Sequence, residues 1–439
     1  MSSDGLPSGP SATWLPNPVS IGFLATAFPS DLVDAVVDEA GARERRYRAL
    51  PARFMVYYVL ALALFAPKGY VEVMCLLTRS LSWLRDEPGA GKSATVPAIA
   101  KARYRLGEAP LALLFRRVAG PLADPGTDGA CWRGFRLVSV DEIVFELPDT
   151  AENTAAFGRP APAGRLAGPG LTDTGLADAG LADQGQHGVP EARLVTLGES
   201  RTGALLGAVF GAAAHPGTPL ASGVVRHLGE TTVLLADERF PVGALWHDAM
   251  ARGAQLVWQV ATPVTLPVTE ILADGSCLVQ LPETWARNSQ EAVVRMVECE
   301  YRTVSGRPTG TTFALLTTLT DPAEAPAEEI LAAYEGRWRG GSIAHTLTGQ
   351  HGLTGQHGLT GQHGLTSQHR ADPRMTLRSR SPDMARQEIW AMLCLYQRAR
   401  DLMWHSSQAL RLHDGPPVTP RLVRVRRRAD TLTVTPAAS

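Results

Sequence analysis

Lysine is nearly missing from this chain: Lys68, Lys92 and Lys101 are its only lysines, and the rest of its 42 basic residues are arginine. With 42 glycines and 32 prolines, that bias is what a GC-rich coding sequence produces, so it selects no chemistry by itself. Cysteine is scarce as well. Cys75, Cys131, Cys277, Cys299 and Cys394 are odd in number and show no C-x-x-C spacing, which argues against a disulfide framework or a zinc knuckle and fits a reducing cytoplasm. Neither sign of charge dominates, since 42 basic and 43 acidic residues leave a formal net charge of -1. Any contact with nucleic acid therefore has to come from local arginine clusters. A long apolar run is also lacking. The longest, 54–66, falls short of the ~20 residues of a membrane span, and no basic-then-apolar leader opens the chain. That run reads as a buried helix, with no membrane partner expected. What is present is 439 residues with 45% apolar content, enough for two or three domains around substantial cores.

Residues 1–20, rich in Ser, Pro and Gly, are expected to be disordered. An α-helical N-terminal domain, residues 21–130, is signalled by apolar residues at helical spacing over 31–39. Residues 51–65 begin with Pro51 and are apolar nearly all round, as a central bundle helix is; further helices are expected over 96–106 and 111–119. From residue 135 the pattern turns to β-type runs at 136–144, 192–198, 205–210 and 231–236. Residues 200–203 are short enough to close a hairpin between the second and third runs, and the fourth leads through Phe240 and Pro241 into a helix over 242–252. Strand-like runs continue over 257–319, with turn signals at Asp274-Gly275 and Gly306-Arg307-Pro308, and read as a β-rich insertion. Helices return from 327. The fold class expected is α/β, with a mixed core over 131–405 and a basic C-terminal tail over 406–439. Two low-complexity repeats, 170–184 with a period of five and 345–370 with a period of six, read as surface-loop expansions, because recurrent Gly weakens a helix by about 1 kcal/mol per residue.

Two apolar runs each deliver an aspartate: Asp141 in Val138-Ser139-Val140-Asp141-Glu142, and Asp237 in Val233-Leu234-Leu235-Ala236-Asp237. A carboxylate beside a buried strand is expensive unless a metal or another cation compensates it. Two strands that present Asp at the same end of one sheet could share divalent cations, which favour oxygen ligands. An ordinary ion pair at either position is the bland alternative.

These segments, together with 45–53, 102–107 and 148–158, resemble bacterial insertion-sequence transposases of the DDE type, the insertion-element-four group in its actinobacterial form, from about residue 31 to residue 400. The resemblance implies an RNase-H-like catalytic core in which two Asp and one Glu bind Mg2+ or Mn2+, with a β-rich insertion before the Glu. It implies hydrolysis and strand transfer at phosphodiester bonds of transposon ends. The partners implied are double-stranded DNA, as terminal repeats and as target, and a second copy for synapsis in a homodimer. Asp141 and Asp237 match the first two metal and catalytic positions. Tyr334 and Arg337 match the start of the third motif and, as the resemblance implies, are expected at DNA phosphate near the scissile bond, with helix packing and ion pairing as the alternative. The Glu position of that motif holds Gly341 and its Lys position Thr348. Glu335, one residue after Tyr334 and off the helix face of the lost position, is a poor substitute by geometry; Glu388 is the other carboxylate considered. The expected outcome is impaired cleavage, and the alternative is a catalytically dead, DNA-binding transposase remnant.

Arg45, Arg46 and Arg48, flanked by Arg43 and Arg53, are expected to meet DNA phosphates, for which the planar guanidinium is suited; a solvated charged surface is the alternative. Arg421, Arg424, Arg426, Arg427 and Arg428 form a second basic cluster. Gly89-Ala90-Gly91-Lys92-Ser93 resembles a phosphate loop, but Asp86 stands where the first Gly is required and no strand precedes it. His345, His351, His357, His363 and His369 recur every six residues; a passive repeat is expected, with a transition-metal site, which imidazole suits, as the alternative.

Overall fold

The computed structural model describes residues 17–46, 48–66, 68–80, 94–127, 129–160, 188–212, 220–260, 264–285, 293–302, 307–338, 374–409 and 423–426. The histidine repeat, the phosphate-loop-like segment, both low-complexity segments, Gly341, Arg421, Arg427 and Arg428 lie outside these. The chain forms two compact units.

The first unit runs to Val118 and includes Asp383–Ala399. Its helices are α1 (Asn17–Ala27), α2 (Ser30–Glu39), α3 (Ala52–Leu64), α4 (Tyr70–Ser80), α5 (Val96–Leu106) and α6 (Ala109–Val118). Buried along nearly its whole length, from Ala52 to Leu64, α3 packs against α1, α2, α4 and α5. Glu44 accepts a hydrogen bond from the Ala52 N–H at 3.1 Å, satisfying a donor that the first turn of α3 leaves open. Thr95 caps α5 through the Ala98 N–H, and Gly107 closes it at φ 67°, a conformation that favours glycine. α5 is locked internally: the buried Arg103 donates to Gln387 Oε1 at 3.1 Å, and Gln387 donates back to the Arg103 and Gly107 carbonyls. Two helices lie outside the expectations. α1 starts at Asn17, inside the stretch read as disordered, because Ile21 and Leu24 find a core to bury in. α4 was not anticipated.

The second unit contains a mixed sheet of order β4-β3-β2-β5-β6-β10-β9-β8-β7, so that the fold is mixed α/β. Its members are β2 (Phe135–Glu146), β3 (Glu191–Glu199), β4 (Leu205–Ala212), β5 (Thr232–Ala236), β6 (Gln255–Val260), β7 (Val268–Ile271), β8 (Cys277–Gln280), β9 (Val293–Arg302) and β10 (Pro308–Thr317). The short strands β1 (Cys131–Trp132) and β11 (Arg374–Thr376) pair with β2, and β12 (Val423–Val425) with β9. β3 runs antiparallel to β2 and to β4, closing the expected hairpin, whereas β5 is parallel to both β2 and β6. The strands of the insertion extend this same sheet from β6 outward.

Side chains that alternate along the strands fill two cores. Val138, Leu234 and Trp258 belong to one, with Leu245 and Trp246 of helix α8 (Ala244–Met250), which in chain order comes after helix α7 (Ala151–Phe157). Leu137, Val233, Leu235 and Val257 belong to the other, with Ile330, Leu331 and Tyr334 of helix α9 (Ala327–Glu335). The period of two therefore assigns odd-numbered positions of β2, β5 and β6 to the α9 face. The first turn of α9 is held by the turn between β7 and β8, where Asp274 Oδ2 accepts from the Ala327 N–H at 2.9 Å.

Candidate active site

β2 and β5 are parallel, with Ser139 opposite Leu235. Two residues further on, the register sets Asp141 beside Asp237, both on the α9 face. β6 follows β5 with Trp258 opposite Ala236, so the next position along the row is Gln259. A pair of carboxylates and an amide thus stand side by side across three parallel strands at the point where β5 ends. On that edge of β2, the β5 pairing stops at Ser139 and the β11 pairing begins at Val144. Asp141 lies in the gap between the two.

One side chain, Arg239, bridges both carboxylates. Arg239 Nη2 donates to Asp141 Oδ1 at 2.7 Å and to Asp237 Oδ2 at 2.8 Å, and Nε donates to Asp237 Oδ2 at 3.0 Å. Asp237 also accepts from the Arg239 backbone N–H at 3.1 Å, a local turn that brings the guanidinium back over its own carboxylate. The carboxylates are nearly withdrawn from solvent, with side-chain exposures of 9% for Asp141 and 15% for Asp237, against 30% for Arg239. Burial by itself pulls the Arg239 pKa down, but the charges of Asp237 and Asp141 overcome it and push the pKa up. Two carboxylates meet one guanidinium here, so Arg239 offsets only part of the charge of the pair.

A second network joins the pair to α9. Glu238 Oε2 accepts from Gln259 Nε2 at 3.1 Å, and Gln259 Oε1 accepts from the Tyr334 hydroxyl at 2.6 Å. Tyr334 is buried, which pushes its hydroxyl pKa up. Its ring carries the Arg337 guanidinium 3.6 Å from the centroid, and Arg337 Nη1 donates to the Tyr334 carbonyl at 2.8 Å. Arg337 belongs to a 3-10 turn, Gly336–Trp338, that lies against β2. Asp141, Asp237, Tyr334 and Arg337, far apart in sequence, are therefore gathered at one place. Glu142, next to Asp141, is taken by Arg193 at 2.5 Å. Among the described residues no group of three His, Cys, Asp or Glu side chains is arranged to hold a metal ion, so neither Glu335 nor a neighbouring glutamate completes a triad there. Glu388 belongs to the first unit.

Arg45, Arg46 and Arg48 follow α2 in the first unit and are exposed. Their neighbours Arg43 and Arg53 are occupied, Arg53 donating to Asp34 Oδ1 at 2.6 Å and Arg43 to Asp38 Oδ2 at 3.0 Å. In the C-terminal cluster Arg424 lies 3.8 Å from Glu300. Sequence reasoning missed Arg239, Gln259 and Glu238. The only signal for Arg239 was its spacing, two residues after Asp237, which lets a long side chain fold back onto that carboxylate. Among the described residues, no helix is long and apolar enough to cross a membrane.

Comparison with known proteins agrees with the resemblance read from the motifs. Residues 18–116 match the family described as insertion element 4 transposase N-terminal. Over 384 residues, 87% of this chain and 76% of the relative, the chain is 25% identical to the transposase InsG for insertion sequence element IS4 of Escherichia coli (strain K12).

Proposed function

From its kinship with the insertion-element-four transposases, which spans most of its length, we propose that this chain is a DNA transposase acting at insertion-sequence ends, with Asp141 and Asp237 as two of its metal-binding carboxylates. One observation carries the reading: two aspartates from separate parallel strands meet beneath a single guanidinium. The strand arrangement supports an RNase-H-like core. Three antiparallel strands, β4-β3-β2, are followed by β5 and β6 parallel to β2, with one aspartate inside β2 and the other at the end of β5. The helices α1 to α6 would form the N-terminal domain (21–130), β7 to β10 most of the insertion (257–319) of a core over 131–405, and 406–439 the basic tail.

The donor set fits Mg2+ or Mn2+: the ligands are hard oxygens, and the site already concentrates positive charge at one point between them. When bound, the ion would supply Lewis-acid activation of the attacking oxygen and of the leaving oxygen at a phosphodiester bond. Asp141 is held within a paired strand, and Asp237 by the turn at its own backbone; both are thus oriented before any ligand arrives. Tyr334 holds Gln259 and supports Arg337, whose guanidinium we assign to DNA phosphate near the scissile bond. We assign Tyr334 to the same DNA-facing motif. Arg45, Arg46 and Arg48 are assigned to DNA phosphates on the first unit. A cytoplasmic location and a homodimer on paired DNA ends complete the reading.

Cleavage is proposed to be impaired, because Gly341 stands at the position of the third carboxylate. The test is cleavage of labelled duplex carrying the element's own ends, in Mg2+ or Mn2+, by the wild-type chain, Gly341→Glu and Asp141→Ala. We expect slow or no cutting by the wild type, gain of cutting in Gly341→Glu, and none in Asp141→Ala. Robust wild-type cutting that survives Asp141→Ala would overturn the site assignment. Robust cutting that Asp141→Ala abolishes would overturn only the impairment. Silence in every variant, with retained binding to the ends, would favour the DNA-binding remnant.

A further inference from the structure

Resting on the metal reading above, we infer that Arg239 is the resident counter-ion of the Asp141–Asp237 pair and that a divalent cation must displace it to bind. Each contact of Arg239 bears on this. Its Nη2 reaches one carboxylate oxygen of each aspartate, its Nε reaches Asp237 through a second line, and its Nη1 leans on the Glu142 carbonyl at 3.4 Å. The guanidinium therefore occupies the point at which the two carboxylates converge, where an ion shared by both would sit. Charge-assisted contacts of this kind are the strong ones, and they are made here with most of the solvent removed. Without a cation the pair would be two adjacent buried charges of like sign, which is costly. Arg239 removes that cost. It also means that metal affinity is a difference between two states of the site, one closed by arginine and one closed by metal.

The exchange has a direction. One guanidinium carries a single positive charge against two carboxylates, whereas a dication carries two, so the exchange of arginine for the ion gains attraction to the pair. Because Arg239 is the most exposed of the three side chains, it can leave toward solvent with the strands unmoved. The inferred device is a site that is stable and harmless when empty and that is loaded only at a raised concentration of divalent ion.

The test is Mn2+ binding by the full-length chain, followed by electron paramagnetic resonance of free Mn2+ and independently by calorimetry. The chains compared are the wild type, Arg239→Gln, Arg239→Lys and Asp141→Asn/Asp237→Asn, with folding checked by circular dichroism. Removing several charge-assisted bonds from the competing state should tighten Mn2+ binding by about tenfold or more in Arg239→Gln. Arg239→Lys keeps the charge but loses the two-pronged reach, so it should fall between; it also decides the matter if Arg239→Gln does not fold. Without metal, Arg239→Gln should melt below the wild type, and Mn2+ should raise its melting temperature more than it raises that of the wild type. Equal Mn2+ affinity in the wild type and the Arg239 variants, lost in the double Asp variant, overturns the inference and leaves the metal reading standing. Absence of any aspartate-dependent Mn2+ binding in all chains overturns both.

Discussion

Tyr334 and Gln259 meet through a bond of 2.6 Å between side chains that are both buried, and removing one partner of such a pair leaves the other unsatisfied. Tyr334→Phe keeps the ring face under Arg337 but strands Gln259 Oε1, so it should destabilise the protein by about 1–2 kcal/mol. Urea unfolding measures this directly. If the hydroxyl served DNA alone, the substitution would weaken DNA binding and leave the urea midpoint where it was. This residue also shows what a sequence can carry. Asp141 and Asp237 were legible because a carboxylate inside an apolar run is anomalous wherever it occurs. Tyr334 and Arg337 were legible only through resemblance, since an aromatic and an arginine three residues apart on a helix look ordinary. Gln259 was not legible, because its role depends on a register between β5 and β6 that leaves no pattern in composition or spacing, and Arg239 left only its spacing from Asp237, which permits a side chain to fold back without requiring it.

Among the elements, α9 matters most, because it carries Tyr334 and leads into the turn of Arg337. It is fixed at its start by the insertion. Arg295, fully buried on β9, donates to the Ala325 carbonyl at 2.6 Å and to Ser276 Oγ at 2.8 Å, and pairs with Asp274. Burial pulls Arg295 down in pKa while Asp274 opposes it. Burial would raise the Asp274 carboxyl, but hydrogen bonds from Ser276 and the Ala327 N–H, with the Arg295 charge, outweigh it and hold that carboxyl below its ordinary value. Asp274→Asn removes the carboxylate paired with the buried Arg295, leaving only the charge of Asp321 acting on it, and should destabilise the chain by about 3 kcal/mol at neutral pH. A carboxyl depressed in the folded state contributes in full above its unfolded pKa and loses that contribution as pH falls through the folded value. The gap between wild type and Asp274→Asn in urea unfolding should therefore be constant from neutrality down to about pH 4 and narrow below it. A gap that narrows near pH 6 would point to some other titrating group. The strands around α9 were legible from their apolar runs, and the hairpin from its turn. Legibility failed for β11, whose three residues are too few to show a period, and for the extension of β2 to Glu146 that β11 pairs with. It failed too for the union of the insertion with the central sheet, because edge pairing depends on partners that lie far along the chain.

For the molecule as a whole, a formal net charge of -1 rules out strong long-range attraction to DNA, and the aspartate pair is locally repulsive to phosphate. Binding therefore depends on where arginines are left available. Arg45, Arg46 and Arg48 are exposed and form no ion pair among the described residues, whereas Arg43 and Arg53 are tied to Asp34 and Asp38. The two groups should separate in experiment. Replacing Arg45, Arg46 and Arg48 together by Ala should leave thermal stability unchanged, since no packing or pairing is lost. It should lower affinity for duplex DNA of any sequence, and the slope of log affinity against log salt should fall by about 0.9 for each phosphate contact removed, about 2.7 for three. Fluorescence anisotropy with a labelled random duplex across a salt series gives both quantities. Arg53→Ala should act in the opposite way, lowering stability by releasing the half-buried Asp34 while changing the salt slope little. A triple variant with an unchanged slope would mean that these arginines are merely solvated. DNA contact would then have to come from another surface, and the first to try would be the strand β12 that carries Arg424, with Arg426 just after it.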